Sequence, residues 1–111
     1  MPTAPSAPRW FSVRCVFGSK GDNGFAYEER LTLWHTDTFD HAIESAETEA
    51  RSYAATTGAE YLGLAQVCQL GHHLTSGTEV FSLIRDSALP SDEYLDAFFD
   101  TGTERQSAHG D

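Results

Sequence analysis

The chain is 111 residues long, a length that buries one core and is too short for two, and its 40% apolar and 12% aromatic content lets it fold without disulfides or a structural metal. Seventeen acidic residues against seven basic ones leave a net charge of −10, whose field repels phosphate backbones and anionic lipid and argues against nucleic acid and membrane surfaces as direct ligands. Residues 1–36 are close to neutral, so the excess negative charge falls on residues 37–111, as expected of a solvated acidic surface.

Residues 1–9 hold three of the four prolines and little that can pack, which predicts a disordered N-terminal arm, followed by one α+β domain over 10–102 and a polar tail over 103–111. From Trp10, the apolar residues Phe11, Val13, Cys15 and Phe17 alternate with Ser12, Arg14 and Val16, the period of a strand with one buried face. Gly18, Gly21 and Gly24 with Asp22 and Asn23 then predict a turn, Asn23-Gly24 being the tightest pair, before a second strand over Phe25 to Trp34. Setting Phe17 against Phe25 opposes Arg14 to Glu28 and Val13 to Glu29, and cross-strand charge favours this register over a slip that opposes Arg14 to Arg30. In that register Glu29 shares a face with Tyr27, Leu31 and Leu33 and becomes a candidate buried carboxylate, which must pair, protonate or swing to an edge. The opposite face carries Trp10, Arg14, Arg30, Thr32 and Trp34, residue types enriched at contact hot spots.

Thr36-Asp37-Thr38 offers helix caps, and Phe39, Ala42, Ile43, Ala46, Ala50, Tyr53 and Ala54 recur at helical spacing up to Gly58, a C-terminal cap. Glu44, Glu47, Glu49 and Arg51 form its solvent face. A third strand is expected over Glu60 to Leu70 and a fourth over Glu79 to Arg85, joined by Gly71 to Thr78, and both of their faces are apolar. The predicted fold is therefore α+β: an antiparallel four-stranded sheet in strand-strand-helix-strand-strand order, with one long helix on one face and a short C-terminal helix. A sheet apolar on both faces needs a second cover. That cover is either the C-terminal helix, capped by Ser91 with a stripe of Tyr94, Leu95, Phe98 and Phe99, or a second copy of the chain.

The segments Trp10-Phe11-Ser12-Val13, Tyr27 to Leu33, Glu60-Tyr61-Leu62-Gly63-Leu64-Ala65-Gln66 and Gly77-Thr78-Glu79-Val80-Phe81-Ser82 together resemble a family of small bacterial proteins, the domain of unknown function 4288. Its actinobacterial branch is similar also in the ending Ser82 to Ser87, Glu93-Tyr94-Leu95-Asp96 and Phe98 to Gly102, so that the likeness covers about residues 10–106. The resemblance implies one bacterial domain with the strand and helix order above, and no catalytic residues, because the family has no established activity. The loop Gly71-His72-His73-Leu74 lies outside the shared pattern.

One thiol and two imidazoles, Cys68, His72 and His73, have the composition of a metal site, and Cys68 with His72 is the candidate ligand pair. Strand periodicity, however, puts Cys68 on a sheet face and both histidines in a turn, with nothing in sequence to bring His35 or His41 to them, so neither metal nor other cofactor is expected. Cys15 and Cys68 read as buried strand thiols suited to a reducing cytoplasm rather than as nucleophiles. The three glycines precede a strand and lack the Lys-Ser/Thr of a phosphate loop. Adjacent Glu28 and Glu29 point to opposite faces and cannot act on one bond. The expected function is thus a non-enzymatic, cytoplasmic protein-interaction module acting as a homodimer through Trp10, Arg14, Arg30, Trp34, Phe98 and Phe99. Two alternatives stand beside it: an immunity-type inhibitor whose acidic half masks a basic partner protein, and a small enzyme or metal protein using Glu29, Cys68 and His72.

Overall fold

A computed structural model describes residues 7–106. The proposed N-terminal arm falls largely on residues 1–6, and the end of the polar tail on 107–111, both outside the described residues. The elements are β1 (Arg9–Gly21), β2 (Gly24–Thr36), α1 (Phe39–Thr57), β3 (Glu60–Gly71) and α2 (Ser91–Tyr94), the last running on into a π-helical turn over Leu95–Phe99. The strands form one antiparallel sheet in the order β2-β1-β3, with β1 at its centre.

Both ends of helix α1 are set by its sequence. Thr38 is extended and its Oγ1 accepts a hydrogen bond from the His41 backbone N–H at 3.1 Å, which satisfies one of the free donors of the first turn. Gly58, at φ +80°, closes the other end in the left-handed conformation and donates its N–H to the Ala54 carbonyl at 2.9 Å. Between the caps, Ala42, Ala46 and Ala50 form a buried stripe of small side chains on which Phe11, Val13, Cys15 and Phe17 of β1 pack as the core. Short methyl groups let the helix lie close to the sheet while the aromatic rings of β1 fill the gap.

The hairpin differs from expectation by three residues. Phe17 lies opposite Glu28, Arg14 opposite Leu31 and Cys15 opposite Arg30, and Asp22 and Asn23 alone connect Gly21 to Gly24. A two-residue loop fixes the pairing sum, and because the displacement from the expected register is odd, every side chain of β2 changes face. Glu29 therefore points away from the core and is exposed, whereas Arg30, Thr32 and Trp34 point toward α1. Arg14 still pairs with a glutamate of β2, but diagonally, reaching Glu29 at 3.1 Å.

The predicted fourth strand is not among the paired strands: residues 79–85 carry no regular secondary structure, and the sheet formed by the described residues has three strands. Ser91 is the first residue of α2 and not its cap, that place being held by Pro90, which offers no side-chain acceptor. The C-terminal helical segment approaches no strand and does not approach α1, so it does not cover the second face of its own sheet. No helix among the described residues is long and apolar enough to cross a membrane.

Candidate functional site

With α1 on one face, the other face of the sheet is built from Trp10, Ser12, Arg14 and Val16 of β1, the odd-numbered residues of β2, and Leu62, Leu64, Gln66 and Cys68 of β3. Most of this outer face is apolar and open to water. Phe25 and Tyr27 are 73% and 67% exposed, and Leu31, Leu33, Leu62 and Leu64 are each close to half exposed. Two aromatic side chains worth about 150–250 Å² each, both about two-thirds exposed, leave on the order of 200–350 Å² in water before the four leucines are counted. Soluble monomers rarely leave an apolar patch of more than about 300–600 Å².

The face is not uncovered everywhere. Ser12 is fully buried because the segment after β3 crosses over it, and its hydroxyl donates to the Val80 carbonyl. Beside it, the Arg14 guanidinium donates from Nε to Gln66 Oε1 at 2.9 Å, pairs with Glu29 and lies 4.7 Å from the centre of the Phe81 ring. Arg14 is thus held on three sides and its charge is matched in place. Beyond Phe81 the chain leaves the sheet, and Leu83, Ile84, Leu95, Phe98 and Phe99 are exposed, Ile84 at 90% and Phe99 at 73%.

The helix side carries a different chemistry, in which polar groups clamp α1 to the sheet. Arg30 pairs with Glu49 at 2.9 Å and stacks 3.6 Å from the Tyr53 ring centre, and Tyr53 in turn donates its hydroxyl to Glu28 at 2.7 Å. Tyr61 of β3 donates to Glu47 at 2.6 Å. The bond to Glu28, followed by burial, holds the Tyr53 hydroxyl above its ordinary range; burial first, then the bond to Glu47, does the same for Tyr61. Burial also pushes the Cys15 thiol up, so it is a packed core side chain and an inert nucleophile. Glu47 and Glu49, expected to face solvent, are therefore structural ligands of the sheet, and Arg30 and Trp34 are absent from the outer face.

At the end of the sheet where β1 begins, Trp10 stacks on His35 with ring centres 4.6 Å apart and planes within 9°. His72 Nδ1 lies 3.0 Å from the Pro8 carbonyl, and Pro8, Trp10, His35, His72 and His73 line a shallow open depression. Sequence spacing gives no reason to associate His35 with the 72–73 loop. The strand order supplies it, because Trp10 at the start of β1 pairs with His35 on one side and with Gly71 on the other. Cys68 sits further along, opposite Ser12, and Glu29 is engaged by Arg14; among the described residues no three His, Cys, Asp or Glu side chains converge as metal ligands would. Phe98 and Phe99 are exposed as an interaction surface requires, but they lie away from Trp10 and Arg14. Sequence reasoning misses the apolar residues of β2, namely Phe25, Tyr27, Leu31 and Leu33, as surface groups, and the signal that assigns them is the two-residue Asp22-Asn23 turn.

No protein-family model, curated protein or solved structure matches the chain.

Proposed function

We propose that the protein acts by contact, as a homodimer assembled through the outer face of its sheet. The observation that carries the proposal is the combination of exposed apolar area and local neutrality on that face. The described sheet residues there with formal charge are Arg14, Lys20, Glu29 and Glu60, which cancel, although the chain as a whole carries −10. Two copies can therefore bring these faces together without opposing like charges across the interface.

Two free thiols, Cys15 and Cys68, fit a reducing cytoplasm. An inhibitor of a basic partner would use the acidic C-terminal half, in which Glu47 and Glu49 are already committed to Tyr61 and Arg30 while Asp86, Asp92, Glu93 and Asp96 lie on the C-terminal segment. A catalytic role for Glu29 competes with its ion pair to Arg14. Sedimentation of the purified chain tests the proposal: a species of twice 12.2 kDa is expected, and a monomer at every soluble concentration overturns it.

A further inference from the structure

The C-terminal arm is as unsatisfied as the sheet face. From Ser82 to Phe99 it presents Leu83, Ile84, Leu95, Phe98 and Phe99 to water, and the Tyr94 and Phe98 rings, 5.1 Å apart, pack on each other rather than on the domain. Arg85 holds the tip together, its guanidinium 3.4 Å from the Tyr94 hydroxyl and 5.6 Å from the centre of the Phe98 ring. The result is a hooked unit that leaves the sheet at Phe81 and does not return. The radius of gyration records this, at 17.0 Å against about 13 Å for a compact domain of 100 residues.

Two apolar surfaces on one chain, neither covered, fit each other in a symmetric pair. We infer that the arm is exchanged: in the homodimer proposed above, on which this inference rests, the stripe Tyr94, Leu95, Phe98 and Phe99 of one copy seats on Phe25, Tyr27, Leu31 and Leu33 of the other. The reach is sufficient. The nine residues Ser82 to Pro90 can span about 30 Å when extended, whereas a three-stranded sheet is only about 10–15 Å wide. The anchor is already made, because Ser12 and Arg14 grip Val80 and Phe81 at the middle of the outer face and direct the rest of the arm outward. An isologous arrangement then satisfies both arms and both faces at once, each arm being the cover that the other sheet lacks. Acidic residues on the arm, Asp92, Glu93 and Asp96, are spaced so that the apolar stripe can face the partner while they face water.

The test uses the full chain in a Cys68→Ala background, with Cys15 left in place because it is buried. A nitroxide spin label is attached at Phe99→Cys on chains without isotope, which are refolded together with ¹⁵N-labelled chains that carry no spin label. Exchange predicts loss of amide signal at Phe25, Tyr27, Leu31 and Leu33 of the ¹⁵N chain. A dimer by light scattering whose ¹⁵N chain shows no such loss overturns arm exchange and leaves the homodimer intact. A monomer overturns both readings. A chain carrying the isotope and the spin label together checks the remaining geometry: broadening there, with none between separate chains, means that the arm covers its own sheet, and the inference fails.

Discussion

Replacing Leu31 and Leu33 together by Ala removes the two leucines of β2 that flank the centre of the outer face. Each is close to half exposed in the single chain, so about half of its side chain is left to bury on association. Full burial of a leucine contributes about 1.5–3 kcal/mol, and half of that, about 0.8–1.5 kcal/mol, occurs four times in a symmetric dimer. The sum is about 3–6 kcal/mol, or a dimer dissociation constant raised roughly 10²- to 10⁴-fold at about 1.4 kcal/mol per decade. The folded monomer loses only the already buried halves, about 1.5–3 kcal/mol in total, which a domain stable by about 5–15 kcal/mol withstands. Sedimentation velocity over a range of concentrations reads the first quantity, and thermal unfolding followed by circular dichroism reads the second. An unchanged dissociation constant in a folded double variant would refute the assignment of this face as the interface. So would a double variant that loses its fold without passing through a monomer, because these side chains would then belong to the core.

Thiol modification should track assembly: Cys68, opposite Ser12 on the outer face, is expected to react slowly in the wild-type dimer and quickly in the Leu31→Ala/Leu33→Ala monomer, while Cys15, 4% exposed, stays unmodified in both until denaturant is added. A Cys68 that reacts equally fast in both proteins places it outside the interface. At the start of α1, His41 Nδ1 lies 2.6 Å from Asp37, whose hydrogen bond raises the imidazole above its ordinary 6.5, while that same bond holds the carboxyl below its ordinary 3.8. The stabilising effect of the pair is thus present between about pH 3.8 and 6.5, lost as pH rises through the raised histidine value and lost as it falls through the lowered carboxyl value. A proton-NMR titration of His41 should give a midpoint above 6.5 that returns toward it in Asp37→Asn; an unchanged midpoint would show that the pair does not form in solution.

Helix α1 is the element whose bounds can be read residue by residue, since Thr38, the alanine stripe and Gly58 each act on partners within four positions along the chain or at helical spacing, and the structure uses each as local chemistry requires. The hairpin shows where such reading fails. Alternation in β2 is clear, but which face is buried depends on the pairing sum, and a shift by an odd number inverts it without altering any local pattern. Setting Phe17 against Phe25 closes the hairpin over the longer loop Gly18 to Gly24, and replacing that loop by the two-residue Asp22-Asn23 turn moves the register by three, which turns Glu29 outward and Trp34 inward. Residues 79–85 fail for another reason. Their apolar, β-forming residues read as a strand, yet the structure lays Val80 and Phe81 across the sheet face at Ser12 and Arg14 instead of along an edge, a tertiary contact that the segment's own pattern does not encode. The depression formed by Trp10, His35, His72 and His73 belongs to the same class, being a product of strand order that no spacing in the chain encodes.

The separation of charge from apolar surface sets the sign of a salt dependence that distinguishes the two contact readings. In the proposed homodimer the sheet residues of the interface are neutral, Arg14 and Lys20 being offset by Glu29 and Glu60, while the acidic excess lies on α1, across the sheet from the partner, and on the C-terminal segment, where Asp92, Glu93 and Asp96 face water. Two molecules of charge −10 still repel at long range, and this repulsion is what salt removes, since the Debye length falls from about 30 Å at 0.01 M to about 8 Å at 0.15 M. The apolar contact, meanwhile, is not weakened by moderate salt. Self-association should therefore tighten as sodium chloride is raised over that range, with the dissociation constant from sedimentation falling as the concentration increases. An inhibitor that captures a basic partner through its acidic surface behaves in the opposite way, because screening removes the attraction that assembles the complex. Self-association that loosens with salt would mean that opposite charges meet across the interface, and the neutral outer face would then be the wrong surface.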